Sequence, residues 1–370
     1  MKKIKASGLD RLFAAISETK ELYLPVRGEK DVSYKLWSEG TEYAADALNT
    51  VKSPKDLFFP QSENLYAMKT TEGGRKIDLV DNSYGGRDFV VFGVRACDAA
   101  SFGILDRVFL SNPVDAYYKA RREKGVVVTV ACREPETSCF CHTFGIDPAE
   151  PAGDVSCIFA GDSLYLDAKT EKGAALLDSL GVLEDAADAD LDVVEAEKTV
   201  ARDNLAKTPL YDLTTEGFGA GKTMELFGSP KWAELSEACL GCGTCTFSCP
   251  TCQCYDIKDF NTGNGVQRYR CWDSCMYSDF TMMAAGNNRT TQMQRFRQRF
   301  MHKLVYFPAN NDGMYSCVGC GRCIGVCPRD AILPASDESN DILNRKIAEY
   351  AKAVVDGRPC FHINLVMDVA

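Results

Sequence analysis

Four short apolar runs mark the first half of the chain: ELYLPV (21–26), DFVVFGV (88–94), GVVVTVA (125–131) and SLYLDA (163–168). Their length and β-branched content predict buried strands. Between the second and third, DAASFGILDRVFL sets Phe102, Leu105 and Phe109 on one helical face. Near the start, Leu9, Leu12, Phe13 and Ile16 follow the i, i+3, i+4, i+7 spacing of an amphipathic helix. The opening MKKIKASGLDRLFAAISETK therefore reads as structure rather than as a secretion signal, because its apolar run is only LFAAI. These elements predict an α/β domain with a parallel or mixed sheet over residues 1–215.

Beyond it the pattern changes. Residues 184–203 are acidic and expected at the surface, and GFGAGK (217–222) is glycine-rich. The latter lacks the spacing and preceding strand of a phosphate loop, so 216–222 reads as a linker. Ser229-Pro230 offers an N-cap and a proline at the first helical position, starting a helix toward Cys239. A closing helix is expected from Asp341 to Val355. The second half is thus expected to be a mainly helical two-cluster ferredoxin-like domain over 223–335, with a long insert (250–316) and a C-terminal helix and tail (336–370).

Composition narrows the function. A net charge of −10 argues against a nucleic-acid binder, and no apolar run is long enough to span a bilayer. A cytoplasmic protein is expected. Eighteen cysteines against three histidines are unusual there, and reducing conditions favour metal ligation over disulfides.

The cysteines are grouped. CLGCGTCTFSCP (239–250) and CVGCGRCIGVCP (317–328) are an internal repeat of C-x2-C-x2-C-x3-C-P, the bacterial 4Fe–4S run. Three thiolates on a tight loop wrap one cubane, and the fourth reaches the neighbouring cluster. One cluster is assigned Cys239, Cys242, Cys245 and Cys327, the other Cys317, Cys320, Cys323 and Cys249. Two zinc sites are the weaker alternative, since zinc knuckles rarely use this three-plus-one spacing twice. No iron is left without a cysteine, so the pair is read as conducting electrons with no catalytic residue.

A third group is inferred from strand ends. DFVVFGV leads into Cys97, and GVVVTVA into CREPETSCFC with Cys132, Cys139 and Cys141. If both strands lie in one parallel sheet, the four thiols meet at its carboxyl edge, where α/β sheets place ligands. A third 4Fe–4S centre is the expectation, with zinc or free thiols as alternatives; Asp98 or, less well, His142 is a substitute ligand. A fourth set, Cys252, Cys254, Cys271 and Cys275, is read either as a further metal site or as thiols bracing the insert beside Trp272. Cys157 and Cys360 read as isolated buried thiols. From Asn287 to Lys303 no acidic residue interrupts Arg289, Arg295, Arg297, Arg299 and Lys303. This run is either a solvated helix face or a cationic surface that favours reduced clusters or docks an acidic partner.

FFPQSENLY, GVRACDAASFGILDRVFL, CREPETSCFC, CPTCQCYDI, WDSCMYSDF, RFRQRFMHKLVYF and CVGCGRCIGVCP extend from about residue 58 to 330. Together they resemble the iron–sulfur subunit family found in anaerobic sulfite reductases and, as the beta subunit, in cytoplasmic sulfhydrogenases. Cys271 departs from the family pattern. The resemblance implies an electron-transfer subunit between a flavin subunit oxidising NADH or NADPH and a terminal sulfite reductase, hydrogenase or heterodisulfide-reductase-like subunit. Two other functions compete with it. One is a free ferredoxin-like carrier. The other is a reductase binding its own flavin or nicotinamide, against which stands the lack of a G-x-G-x-x-G after any expected strand.

Overall fold

The structure, a computed structural model, describes residues 1–29, 31–71, 76–81 and 85–327. The expected helix from Asp341 to Val355 and Cys360 lie outside these residues.

The four apolar runs are strands of one eight-stranded sheet. Its members are β1 (Lys2–Lys5), β2 (Glu21–Arg27), β3 (Val32–Leu36), β6 (Phe89–Val94), β7 (Gly125–Val130), β8 (Val155–Ala160), β9 (Ser163–Ala168) and β10 (Glu184–Asp185). They run in the order β10-β1-β9-β8-β7-β6-β2-β3. The central β2, β6, β7 and β8 are parallel, and the flanking pairings are antiparallel. The sheet is therefore mixed.

Every residue of β6 and β7 is buried, as strands covered on both faces must be. One face packs Val90, Phe92 and Val128 against Leu12, Phe13 and Ile16 of the Leu9–Ser17 helix. The other packs Phe89, Val91 and Val127 against Phe102, Leu105 and Phe109 of the Ala96–Phe109 helix. Gly93, at φ 81°, makes a bulge that shifts the β6–β7 register between Phe92 and Val94. Bulges re-aim the chain that follows them. Here that chain is Arg95 and Cys97.

The second half is not purely helical. The insert contributes β11 (Tyr255–Asn261) and β12 (Gly265–Trp272), which pair with β4 (Ser62–Thr71) and β5 (Lys76–Asp81) in the order β11-β12-β4-β5. This antiparallel sheet joins the insert to the N-terminal half. Arg270 on β12 reinforces the join through Glu63 on β4, Nε to Oε2 2.8 Å, and through Asp115. Both Arg270 and Glu63 are buried.

The helix expected after Ser229 is short, Lys231–Ser236, with Pro230 at its N-cap and no side-chain cap. Phe218 of the glycine-rich linker is buried beside Leu226 and Trp232, so this segment is pinned rather than free. Among the described residues no helix is long and apolar enough to cross a membrane.

A buried ion pair fixes the second cysteine run against the first domain. Arg322 donates from both terminal nitrogens to Asp98, at 2.6 and 2.7 Å, and from Nε to the Thr50 carbonyl. Both partners' side chains are 2% exposed. Removing one partner strands the other charge in the interior, so Arg322→Met is expected to lower unfolding stability by about 3–5 kcal/mol in denaturant titrations. Asp98→Leu combined with Arg322→Met should recover much of that loss.

Candidate iron–sulfur centres

The sequence repeat is also a backbone repeat. In each run the two glycines take left-handed conformations, Gly241 and Gly243 at φ 68° and 75°, Gly319 and Gly321 at φ 59° and 72°. A one-turn helix follows each, Thr244–Phe247 and Arg322–Gly325. Each loop thus turns its cysteines inward while keeping its backbone within reach of them.

Two cavities lie side by side between the runs. Cys317, Cys320, Cys323 and Cys249 line one of them, with Phe140, Thr251, Arg299 and Lys303. Cys239, Cys242, Cys245 and Cys327 line the other, with Met276, Phe296 and Arg299; Cys323 reaches its wall as well. Each cavity therefore gathers three thiols of one run and the last of the other.

The sulfurs have polar neighbours. Cys239 Sγ accepts from Gln292 Nε2 at 3.3 Å and from the Gly241 amide at 3.5 Å. Cys249 Sγ lies 3.2 Å from Thr251 Oγ1, and Cys242 Sγ lies 3.3 Å from Thr244 Oγ1. Such contacts to cluster sulfurs are among the protein's levers on potential. Burial pushes the Cys245 and Cys317 thiols up to about 11, with Arg299 and Lys303 opposing it. Burial thus disfavours the bare thiolates of Cys245 and Cys317, whereas Cys249 is pulled down by its hydrogen bond to Cys252 and by Lys303 and Arg299. Iron ligation supplies the charge that lets the buried thiols deprotonate. The donor set, the cavity between the runs and the sulfur contacts all suit iron–sulfur clusters.

The N-terminal thiols emerge at one sheet edge. Parallel β6 and β7 deliver Cys97 and Cys132, and the following loop brings Cys139 and Cys141. All four are buried. Burial pushes Cys139 and Cys141 up to about 12, and Cys132 acts on both. Cys97 is pushed well up by burial and by nearby Asp98 and Cys320, and it packs in one buried cluster with Cys139, Cys141 and Cys320. The group thus backs onto the second cysteine run. The Phe140 amide donates to the Gly319 carbonyl at 2.9 Å, sealing the two loops together.

Of the substitute ligands, the Asp98 carboxylate is held by Arg322. The His142 ring stacks on Tyr211 at 4.1 Å with Nε2 against the Tyr211 carbonyl, while its Nδ1 is buried without a hydrogen-bond partner. The fourth set is divided. Cys254 is hydrogen-bonded to Cys275, which pulls Cys254 down to about 7, while Cys252 is hydrogen-bonded to Cys249. Cys271 stands on β12 opposite Asp256, with Lys258 beside it. Cys157 is buried in the main core. Among the described residues no three His, Cys, Asp or Glu side chains converge tightly enough for a single metal ion. A cubane spreads its ligands over separate iron corners and does not demand that convergence.

Comparison with known proteins agrees with this chemistry. The family model for a 4Fe–4S dicluster domain matches residues 238–331. The sulfhydrogenase 2 subunit beta of Pyrococcus furiosus is 30% identical over 333 residues, which cover 88% of this chain and 94% of the relative. The chain belongs to this iron–sulfur electron-transfer subunit family. No solved structure matches it.

Three features escaped sequence reasoning. Lys55 is buried, with Nζ donating to the Cys249 and Cys252 carbonyls at 3.0 and 2.9 Å and lying 3.8 Å from the centre of the Trp272 ring. It braces the turn after the first run. The Asp98–Arg322 pair is the second, and the inward turn of Arg299 and Lys303 is the third. Arg297, two residues before Arg299, stays outside, packed on the Phe227 ring. The basic run is therefore not the surface stripe that its sequence suggested.

The close approach of loops gives a direct test. A Cβ on Gly319 would lie 2.3 Å from the Phe140 carbonyl oxygen, and its φ is already left-handed. Gly319→Ala is expected to cost more than about 1 kcal/mol in urea unfolding and to reduce iron content. Gly325, with nothing within 4 Å of an added Cβ, should accept alanine without loss of either.

Proposed function

We propose that this subunit is a three-centre electron relay, with clusters on Cys239/Cys242/Cys245/Cys327, Cys317/Cys320/Cys323/Cys249 and Cys97/Cys132/Cys139/Cys141. The observation that carries the reading is contiguity. The two cavities share Cys323 and Arg299 in their walls, and Cys97 packs in one buried cluster with Cys320 of the second run. Hopping between adjacent centres needs no large motion along such a line.

The ends of the line differ. Cys242 is exposed and Leu240 is 61% exposed, whereas the N-terminal thiols are buried. The exposed end suits exchange with a partner chain. The relative's name, a sulfhydrogenase beta subunit, supports a role within a multi-subunit oxidoreductase, which we place in the cytoplasm. In that role the chain lies between a flavin subunit oxidising NADH or NADPH and a terminal catalytic subunit. When bound, the clusters supply one-electron storage. The chain's own residues fix their spacing, exclude water and set the local charge.

Iron and labile sulfide counted on anaerobically prepared protein test the number of centres. About 12 irons per chain are expected, falling toward about 8 in Cys139→Ser. A count near 8 that Cys139→Ser leaves unchanged would remove the N-terminal centre. Cys271→Ser is expected to leave the count unaltered, because Cys271 stands apart from the Cys254–Cys275 and Cys249–Cys252 pairs.

A further inference from the structure

Two of the buried cations among the described residues meet a carboxylate: Arg322 is matched by Asp98, and Arg270 by Glu63 and Asp115. Besides Lys55, which rests on Trp272, three buried cations beside the thiols do not. Lys303 Nζ donates to Thr251 Oγ1 at 2.7 Å and to the Ser316 carbonyl at 3.0 Å. Arg299 donates to the Cys245 carbonyl at 3.2 Å, and its Nε is buried without a partner. Arg95 donates to the carbonyls of Ala131, Ala45 and Ala47, and its Nε is likewise buried and unpartnered. They are only 4%, 6% and 7% exposed for Arg299, Lys303 and Arg95. Among the described residues none of the three forms an ion pair.

A buried charge without a counter-ion costs several kcal/mol. Neutral carbonyls and hydroxyls solvate such a charge but do not cancel it. The acidic groups that face these cations from the elements packed around them are thiols, joined at Arg95 by the phenols of Tyr43 and Tyr34. Lys303 faces Cys249, Cys252 and Cys317; Arg299 faces Cys245, Cys323, Cys252 and Cys249; Arg95 faces Cys132 and Cys97. A four-thiolate cubane is an anion, and it becomes more negative on reduction. The missing counter-charge is therefore what the cavities would contain.

Local geometry supports a dedicated placement. Arg299 and Lys303 are four residues apart, on one face of a helix that runs from Gln292–Met301 into a π-helical turn at His302–Tyr306. Such turns often mark functional positions in helices. Arg299 lines both cavities, and Lys303 lines only the one with Cys317.

We propose that Arg299, Lys303 and Arg95 are resident counter-cations of the cluster sites, raising reduction potentials above those that burial alone would set. Lys303 serves the Cys317 site, Arg299 serves both ferredoxin-type sites, and Arg95 serves the N-terminal site. The assignment rests on the cluster reading above.

Redox titration of the full cluster-loaded chain, followed by electron paramagnetic resonance, tests it. In Lys303→Met one midpoint should fall by at least a tenfold shift in the reduction equilibrium, about 59 mV for a one-electron couple, and in Arg299→Gln two should fall. Lys303→Arg should keep wild-type values. A loaded Lys303→Met protein with unmoved midpoints overturns the proposal. If Lys303→Met takes up no iron but Lys303→Arg does, charge is the requirement and the proposal stands. If both fail to load, shape is the requirement and the proposal falls. A wild-type chain that binds no clusters instead defeats the parent reading, and the iron count separates the two failures.

Discussion

Desolvation of thiolate is the constraint on which the rest of this structure depends. A cysteine in a low-dielectric interior resists ionisation, yet cluster ligation requires the ionised form. This fold buries half of its ligand candidates, the four N-terminal thiols with Cys249 and Cys320, and so must supply compensation close at hand. It does so through backbone and side-chain donors to sulfur, and through cations that lack carboxylate partners. The same low dielectric would magnify each of these contributions.

That constraint explains features that otherwise look like excess. The Asp98–Arg322 pair brings no net charge to the region it crosses, and its work is mechanical. It locks the short helix of the second run to the helix that carries Cys97. Lys55 plays a related part from the opposite side, gripping the carbonyls after the first run while its ammonium rests on Trp272. The insert, through β12, brings Trp272 to that position and ties itself to β4. Both sheets thus hold the cysteine loops from outside the loops themselves.

Much of the first domain was legible in the chain. Continuous apolar runs such as GVVVTVA can lie only where both faces are covered, and the structure puts them at the centre of the sheet. Cys97 and Cys132 were placed at one edge by the same logic, because parallel neighbours end on the same side. The insert was misread as part of a mainly helical half. Its strands YDIKDFN and GVQRYRCW alternate weakly; they pair with each other as a hairpin, and the second is anchored on its other side by β4, about 200 residues earlier. The basic run was misread for a different reason. Composition reports how many charges a helix carries, not which of them turn away from water.

The sequence by itself determined the donor chemistry and its local geometry. Two C-x2-C-x2-C-x3-C runs with glycines at the turns prescribe how each loop folds, because every element of that pattern acts within about ten residues. The tertiary structure decided what stands opposite each loop. It set Cys320 against Cys97, Gly319 against Phe140, and Arg299 and Lys303 against thiols rather than solvent. Those juxtapositions join residues far apart in the chain. They follow from the packing of two sheets and a helix with a π-helical turn around buried charge, which no local spacing records.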